Sequence, residues 1–211
     1  MRTGEGVLRR RLLITALLAL CLVASGCGER AAKLSKLSND DVIVAFGDSL
    51  TYGTGAAEHE SYPAVLAQLT GRKVVRAGVP GEVTAQALQR LPQVIEAHRP
   101  RLVVLCSGGN DMLRRLSMEE AGANLRAMIK LLKERDIAVV LIGVPQPALL
   151  SSPPEFYPAL AREFGVPYEG EVLKTVLYAA DMKSDPIHPN ARGYRRMAEA
   201  VDALLRKAGA I

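Results

Sequence analysis

From Asp41 onward, short apolar runs alternate with longer stretches in which apolar residues recur every three or four positions. The runs at 42–46, 73–77, 102–106 and 138–142 are rich in β-branched residues, the composition of strands buried on both faces. The stretches at 61–69, 84–97, 118–134, 154–164 and 190–207 carry helical periodicity. Strand and helix in alternation predict one α/β domain with a parallel sheet and helices on both faces. In such a sheet ligands gather beyond the carboxyl ends of the strands, so the residues that follow each apolar run are where chemistry is expected.

Ahead of this pattern the chain reads differently. A basic stretch through Arg9, Arg10 and Arg11 is followed by an apolar run at 12–24 and by Ser25-Gly26 before Cys27, the layout of an export signal. The run is short for a spanning helix, which needs about 20 apolar residues. It resembles the signal of a bacterial lipoprotein, although Ala24 stands where that pattern usually has Leu. The resemblance implies cleavage after residue 26, lipidation of Cys27 and a membrane anchor through that lipid. A polar tether then runs to about residue 40, and a domain at 41–211 sits on the periplasmic side of the cell envelope. Plain secretion and an uncleaved anchor are the alternatives, and all three place the domain outside the cytoplasm.

Charge and composition remove one broad class. The net charge is +5, but Arg2, Arg9, Arg10 and Arg11 against Glu5 leave +3 of it in the first 26 residues. The remainder shows no basic cluster interleaved with aromatics and the chain has no tryptophan, so nucleic acid is not an expected partner. Of the three cysteines, Cys21 lies in the apolar run and Cys27 is the lipid site, which leaves Cys106 alone in the domain with no disulfide to form. Cys106 reads as a small buried strand residue.

Three separated clusters fall where ligands are expected. Gly47-Asp48-Ser49-Leu50-Thr51 follows the first apolar run and offers a hydroxyl on a glycine-flanked turn. Gly108-Gly109-Asn110-Asp111 follows the third and offers a neutral amide donor, and Asp185-Pro186-Ile187-His188-Pro189 precedes the last helical stretch. Asp185 three residues before His188, in a loop stiffened by two prolines, can accept from one ring nitrogen while the other faces Ser49. Each cluster has a plainer reading: Asp48, Ser49, Asp185 and Asn190 as helix caps, Asn110 as a turn residue and Gly81 as a strand–helix turn. His59 in a polar loop and His98 beside Arg99 read as solvated or helix-terminal histidines. A phosphate-cradling glycine loop is not spelled by these residues.

Taken together, the three clusters and Gly81 resemble the four sequence blocks of the GDSL/SGNH hydrolases, and within them the bacterial arylesterase and thioesterase/lysophospholipase branch. The resemblance implies a three-layer flavodoxin-like sandwich on a mainly parallel five-stranded sheet. It also implies Ser49 as nucleophile, His188 as base, Asp185 as its orienter, and an oxyanion hole from the Ser49 and Gly81 amides and the Asn110 side chain. The implied activity is hydrolysis of small-molecule or lipid carboxylic (thio)esters through an acyl-enzyme, with no metal or organic cofactor. Leu50, Leu113, Val144 and Leu149, all placed after strand ends, are the expected substrate-binding residues. Arg76 departs from the family, whose members often carry Asn there. An O-acetyl-polysaccharide deacetylase and a catalytically silent envelope-binding lipoprotein are the rival functions.

Overall fold

The computed structural model describes residues 32–147 and 152–211. The expected signal, Cys27 and Leu149 lie outside them. Five strands, β1 (Ile43–Gly47), β2 (Val74–Gly78), β3 (Leu102–Cys106), β4 (Ala138–Ile142) and β5 (Tyr168–Glu169), form one parallel sheet in the order β2-β1-β3-β4-β5. Every residue of β1 and β3 is buried, as continuous apolar runs between two helical layers must be. The first four strands coincide with the predicted runs to within a residue. β5 had no apolar run to announce it. It forms because the Leu141 amide donates to the Pro167 carbonyl at 2.9 Å and the Gly143 amide to the Glu169 carbonyl at 2.8 Å.

Among the described residues eight α-helices connect or flank the strands: α1 (Ser49–Tyr52), α2 (Tyr62–Thr70), α3 (Thr84–His98), α4 (Gly109–Leu113), α5 (Met118–Glu134), α6 (Phe156–Phe164), α7 (Val172–Tyr178) and α8 (Ala191–Ala208). The chain steps one way from β1 to β2 and the other way from β2 through β3, β4 and β5. Right-handed crossovers therefore put the first connection on one face and the later ones on the other. In agreement, α2 packs on α8, and α3 packs on α5, which meets α6. The point where the winding reverses lies between β1 and β3, so the loops after those two strands flank a crevice. Ser117 and Asn190 cap α5 and α8: Ser117 Oγ accepts from the Glu120 amide, and Asn190 Oδ1 from the amides of Arg192 and Gly193.

The domain starts earlier than the expected end of the tether. Leu37 is buried, its amide donates to the Ala210 carbonyl at 2.8 Å, and the Leu34 amide donates to the Ala208 carbonyl at 2.9 Å. The polar composition of 32–40 hid two leucines that close over the end of α8. Among the described residues no helix is long and apolar enough to cross a membrane.

One buried ion pair fixes the loops at the carboxyl end of the sheet. Glu82, in the loop after β2, is 5% exposed at its side chain and receives both arms of Arg90 from α3, at 2.6 and 2.7 Å. The same guanidinium donates to the carbonyls of Ala77 (3.2 Å) and Gly47 (3.4 Å) and lies 4.2 Å from the centre of the Phe46 ring. A single side chain thus ties together the ends of β1 and β2 and the loop beyond. Breaking such a pair strands a buried charge, whereas replacing both partners with apolar groups does not. Arg90→Met is therefore expected to cost about 3–5 kcal/mol, read as a lower urea midpoint at unchanged slope, and Glu82→Leu/Arg90→Met to recover most of it. A double variant no more stable than the single one would refute this account of the clamp.

Candidate active site

The turn after β1 places Ser49 at the start of α1. Gly47 cannot be replaced there, because a Cβ would collide with the Cys106 carbonyl of the neighbouring strand and with Thr51 Oγ1. Asp48 caps α1 through Oδ1, which accepts from the Leu50 amide at 3.0 Å, so the capping reading of that residue holds. Ser49 is left with its hydroxyl in a cleft, and its amide donates to no group among the described residues.

His188 and Asp185 arrive on a short loop between α7 and α8. Lys183 and Pro189 bridge its base, and the Ser184 amide and hydroxyl both donate to the His188 carbonyl. Asp185 Oδ1 accepts from the amides of Ile187 and His188, each at 2.9 Å, and Oδ2 stands 2.7 Å from His188 Nδ1. Desolvation pushes the Asp185 carboxyl up, but the hydrogen bonds from the His188 ring and the Ile187 amide outweigh it and hold the group below the usual carboxylate range. An ionised carboxylate only accepts, so the proton sits on Nδ1 and the Nε2 lone pair points away from Asp185. Nε2 lies 3.0 Å from Ser49 Oγ. Two loops 139 residues apart in sequence thus converge on one hydrogen-bonded line.

The loop after β3 supplies the third part. Gly108 has a φ of 117° and faces the Tyr157 hydroxyl so closely that no side chain fits, while that hydroxyl donates to the Ser107 carbonyl at 2.7 Å. Asp111 is buried and accepts from the Thr84 amide (2.9 Å) and hydroxyl (2.7 Å), pinning α4 to the start of α3. Asn110 projects into the cleft, with Nδ2 donating to the Glu82 carbonyl at 3.0 Å and to Asp48 Oδ2 at 3.4 Å. The second contact is the longer and the easier to exchange for a substrate oxygen. Gly81 does not line the cleft; its carbonyl accepts from Arg114 Nη2 at 2.7 Å, and its amide has no partner among the described residues. Arg76 binds elsewhere, donating to the Tyr52 carbonyl at 2.7 Å and pairing with Glu58.

The cleft is about 400 Å³ and its walls are mostly apolar. Leu50, Leu113 and Val144 line it. So do Leu177, Tyr178, Lys183 and Ile187, which the sequence reading did not pick out because no apolar strand precedes them. Leu113 is 43% exposed, too open to solvent for a packed core residue. Cys106 is buried and unpaired at the end of β3, where burial pushes its thiol well up and away from reactivity. Asp48 contrasts with Asp185. Burial, partly offset by the Leu50 amide and His188 and reinforced by Glu82 and Asp111, pushes its carboxyl up to about 7.

Comparison with known proteins agrees with this architecture. Residues 45–196 match the GDSL-like Lipase/Acylhydrolase family. The chain is 32% identical, over 71% of its own length and 76% of the relative's, to thioesterase 1/protease 1/lysophospholipase L1 of Escherichia coli K12. It is similar to the crystal structure of TesA, with a TM-score of 0.72 and 26% identity over 80% of this chain and 99% of that one. It is also similar to AlinE4, an SGNH-hydrolase family esterase, with a TM-score of 0.63 and 34% identity over 82% and 98%. With the sequence blocks, the parallel sheet and these likenesses in agreement, the chain belongs to the GDSL-like lipase/acylhydrolase family and is a hydrolase of ester bonds.

Proposed function

We propose that Ser49, His188 and Asp185 hydrolyse acyl esters or thioesters through an acyl-enzyme, and that Cys27 carries a lipid that anchors the enzyme in the cell envelope. The observation that carries the catalytic reading is the 3.0 Å contact between His188 Nε2 and Ser49 Oγ, with Asp185 on the far ring nitrogen. Ser49 Oγ attacks the carbonyl carbon as Nε2 takes its proton, and the imidazolium that forms sits against an ionised carboxylate. The proton then passes to the departing alcohol or thiol. Water, deprotonated by the same nitrogen, releases the acid. Negative charge developing on the carbonyl oxygen meets the free Ser49 amide and Asn110 Nδ2, which leaves Asp48 to do so; Gly81, expected as a third donor, stands outside the lining of the cleft. The apolar walls favour an acyl chain over the acetyl group of a sugar, so the deacetylase reading gains no support from the site.

Asp48 affects this step without touching substrate. A neutral Asp48 competes less for Asn110 Nδ2 than an ionised one, and its neutrality is set by burial near Glu82 and Asp111.

Three outcomes are expected. A form starting at Gly28 should hydrolyse p-nitrophenyl esters with a preference for medium or long acyl chains. Ser49→Ala should lower kcat/KM by at least about 10⁴-fold, and Asn110→Ala by about 10²–10³-fold; equal turnover by wild type and Ser49→Ala would rule out the serine mechanism. The second outcome concerns stability. Asp48 is protonated up to about 7 when folded but only to about 3.8 when unfolded, so the native state holds the extra proton and loses stability as pH rises through that window. Asp48→Asn should thus gain unfolding free energy relative to wild type, measured by urea denaturation, by more at pH 8 than at pH 5, by up to roughly a few kcal/mol; a pH-independent difference would argue against a neutral buried carboxyl. Finally, Cys27→Ser should abolish labelling by a fatty-acid probe in bacterial cells, and labelling that persists would remove the anchor from the proposal.

A further inference from the structure

Among the described residues, six large apolar side chains are substantially exposed: Tyr52, Val79, Leu113, Leu116, Tyr178 and Ile187. None lies on the outer faces of the long helices α3, α5 and α8. Tyr52 follows β1, Val79 follows β2, and Leu113 and Leu116 follow β3, which puts all four at the carboxyl end of the parallel sheet. Leu113, Tyr178 and Ile187 also line the catalytic cleft.

Two arginines and the cleft relate these residues to one another. Arg76, on the strand that leads to Val79, donates to the Tyr52 carbonyl and covers its ring at 4.6 Å. Arg114, between Leu113 and Leu116, donates to the Gly81 carbonyl two residues beyond Val79. Leu113, Tyr178 and Ile187 share the walls of the cleft. Folding leaves apolar surface of this size in water only at a cost, and here it is concentrated where substrate enters.

The charge of the rim selects the partner. Arg114, Arg115 and Lys183 stand among these residues, and none of them is paired with a carboxylate among the described residues: Arg114 and Lys183 donate only to carbonyls. Of the acidic groups nearby, Glu58 is paired with Arg76, Asp185 with His188 and Asp48 is buried, which leaves Glu119 and Glu120 at the start of α5 exposed against these three cations. Arg115 is also held in the left-handed region, with a φ of 54°, a conformation unfavourable for a residue with a side chain. An apolar rim with three cations in no ion pair, outnumbering the exposed carboxylates beside them, suits a surface that is apolar just beneath a layer of negative charge.

We infer that the active-site end of the domain docks onto the surface of a bilayer containing anionic phospholipid, with Tyr52, Val79, Leu113, Leu116, Tyr178 and Ile187 entering the interface and Arg114, Arg115 and Lys183 meeting the headgroups. Docking in this pose turns the mouth of the cleft toward the membrane. A lipid ester can then pass from the bilayer to Ser49 without exposing its acyl chain to water. The inference rests on the proposed ester hydrolysis only for its kinetic arm.

The test uses the full chain and hydrogen–deuterium exchange with three conditions: no vesicles, phosphatidylcholine vesicles, and phosphatidylcholine/phosphatidylglycerol vesicles. Anionic vesicles are expected to protect peptides spanning residues 79–81, 113–116 and 178–187, in wild type and in Ser49→Ala alike, so this arm does not depend on catalysis. Equal protection by both vesicle types, or protection confined to residues before 32, overturns the inference. Protection of the same segments on raising protein concentration without vesicles would assign the face to a second copy of the chain and overturn it too. In the kinetic arm, Leu116→Asp and Arg115→Glu, neither of which lines the cleft, should leave kcat/KM on a soluble monomeric ester unchanged and lower turnover of the same ester embedded in anionic vesicles about tenfold. Equal turnover of the embedded ester by variants and wild type counts against docking. Absence of turnover in every form, with protection retained, would fault the proposed hydrolysis and leave the docking face standing.

Discussion

The Glu82–Arg90 pair is the constraint on which the site depends. It is a buried charge pair with three further obligations, to the carbonyls of Gly47 and Ala77 and to the ring of Phe46. The Gly47 carbonyl belongs to the turn that presents Ser49, and the Glu82 carbonyl receives the Asn110 amide. Nucleophile and oxyanion donor, which come from different strands, are therefore referred to one guanidinium. A buried pair of this kind contributes little net stability over an apolar substitute, so its value lies in position. It makes the reversal point of the sheet, already a crevice by topology, into one with fixed walls.

Two aspartates near Ser49 show how environment divides one residue type into two roles. Asp185 sits in a partly exposed loop and is held ionised by hydrogen bonds from a ring nitrogen and a backbone amide. Asp48 is sealed beneath the turn, next to other acids, and burial favours its neutral form. The first charge is needed to fix the tautomer of His188. The second would pull Asn110 toward itself. Separating their protonation by solvent exposure allows both carboxyls to share a site some residues wide.

The sequence made the central strands and long helices legible because their periodicity and burial agree: β1, β3 and β4 are apolar along their whole length, and α5 and α8 keep a single apolar stripe. Ser49, Asn110, Asp185 and His188 were legible for a different reason, since each lies in a short block rich in Gly or Pro whose spacing resembled a known family. What escaped notice was set by tertiary partners. β5 exists through two amides, one in β4 and one just after it, and Leu37 is buried only because α8 ends beside it. Arg90 looks like any polar helix residue until Glu82 is brought to it. Lys183, Leu177 and Tyr178 enter the cleft from a helix and loop that share no pattern with the strands.

The loop that carries His188 has a property separate from its chemistry. Its base is joined by the Lys183–Pro189 bridge, its interior is tied by Ser184 and Asp185, and Asn190 locks its exit to α8. Base and orienter are thereby parts of one small rigid body, assembled from neighbours in sequence and indifferent to the sheet. Ser49 belongs to the sheet. The catalytic line is thus a joint between two separately built pieces, and the whole of its tolerance to drift, whether by heat or by mutation, is expressed in the single gap between a ring nitrogen and a hydroxyl.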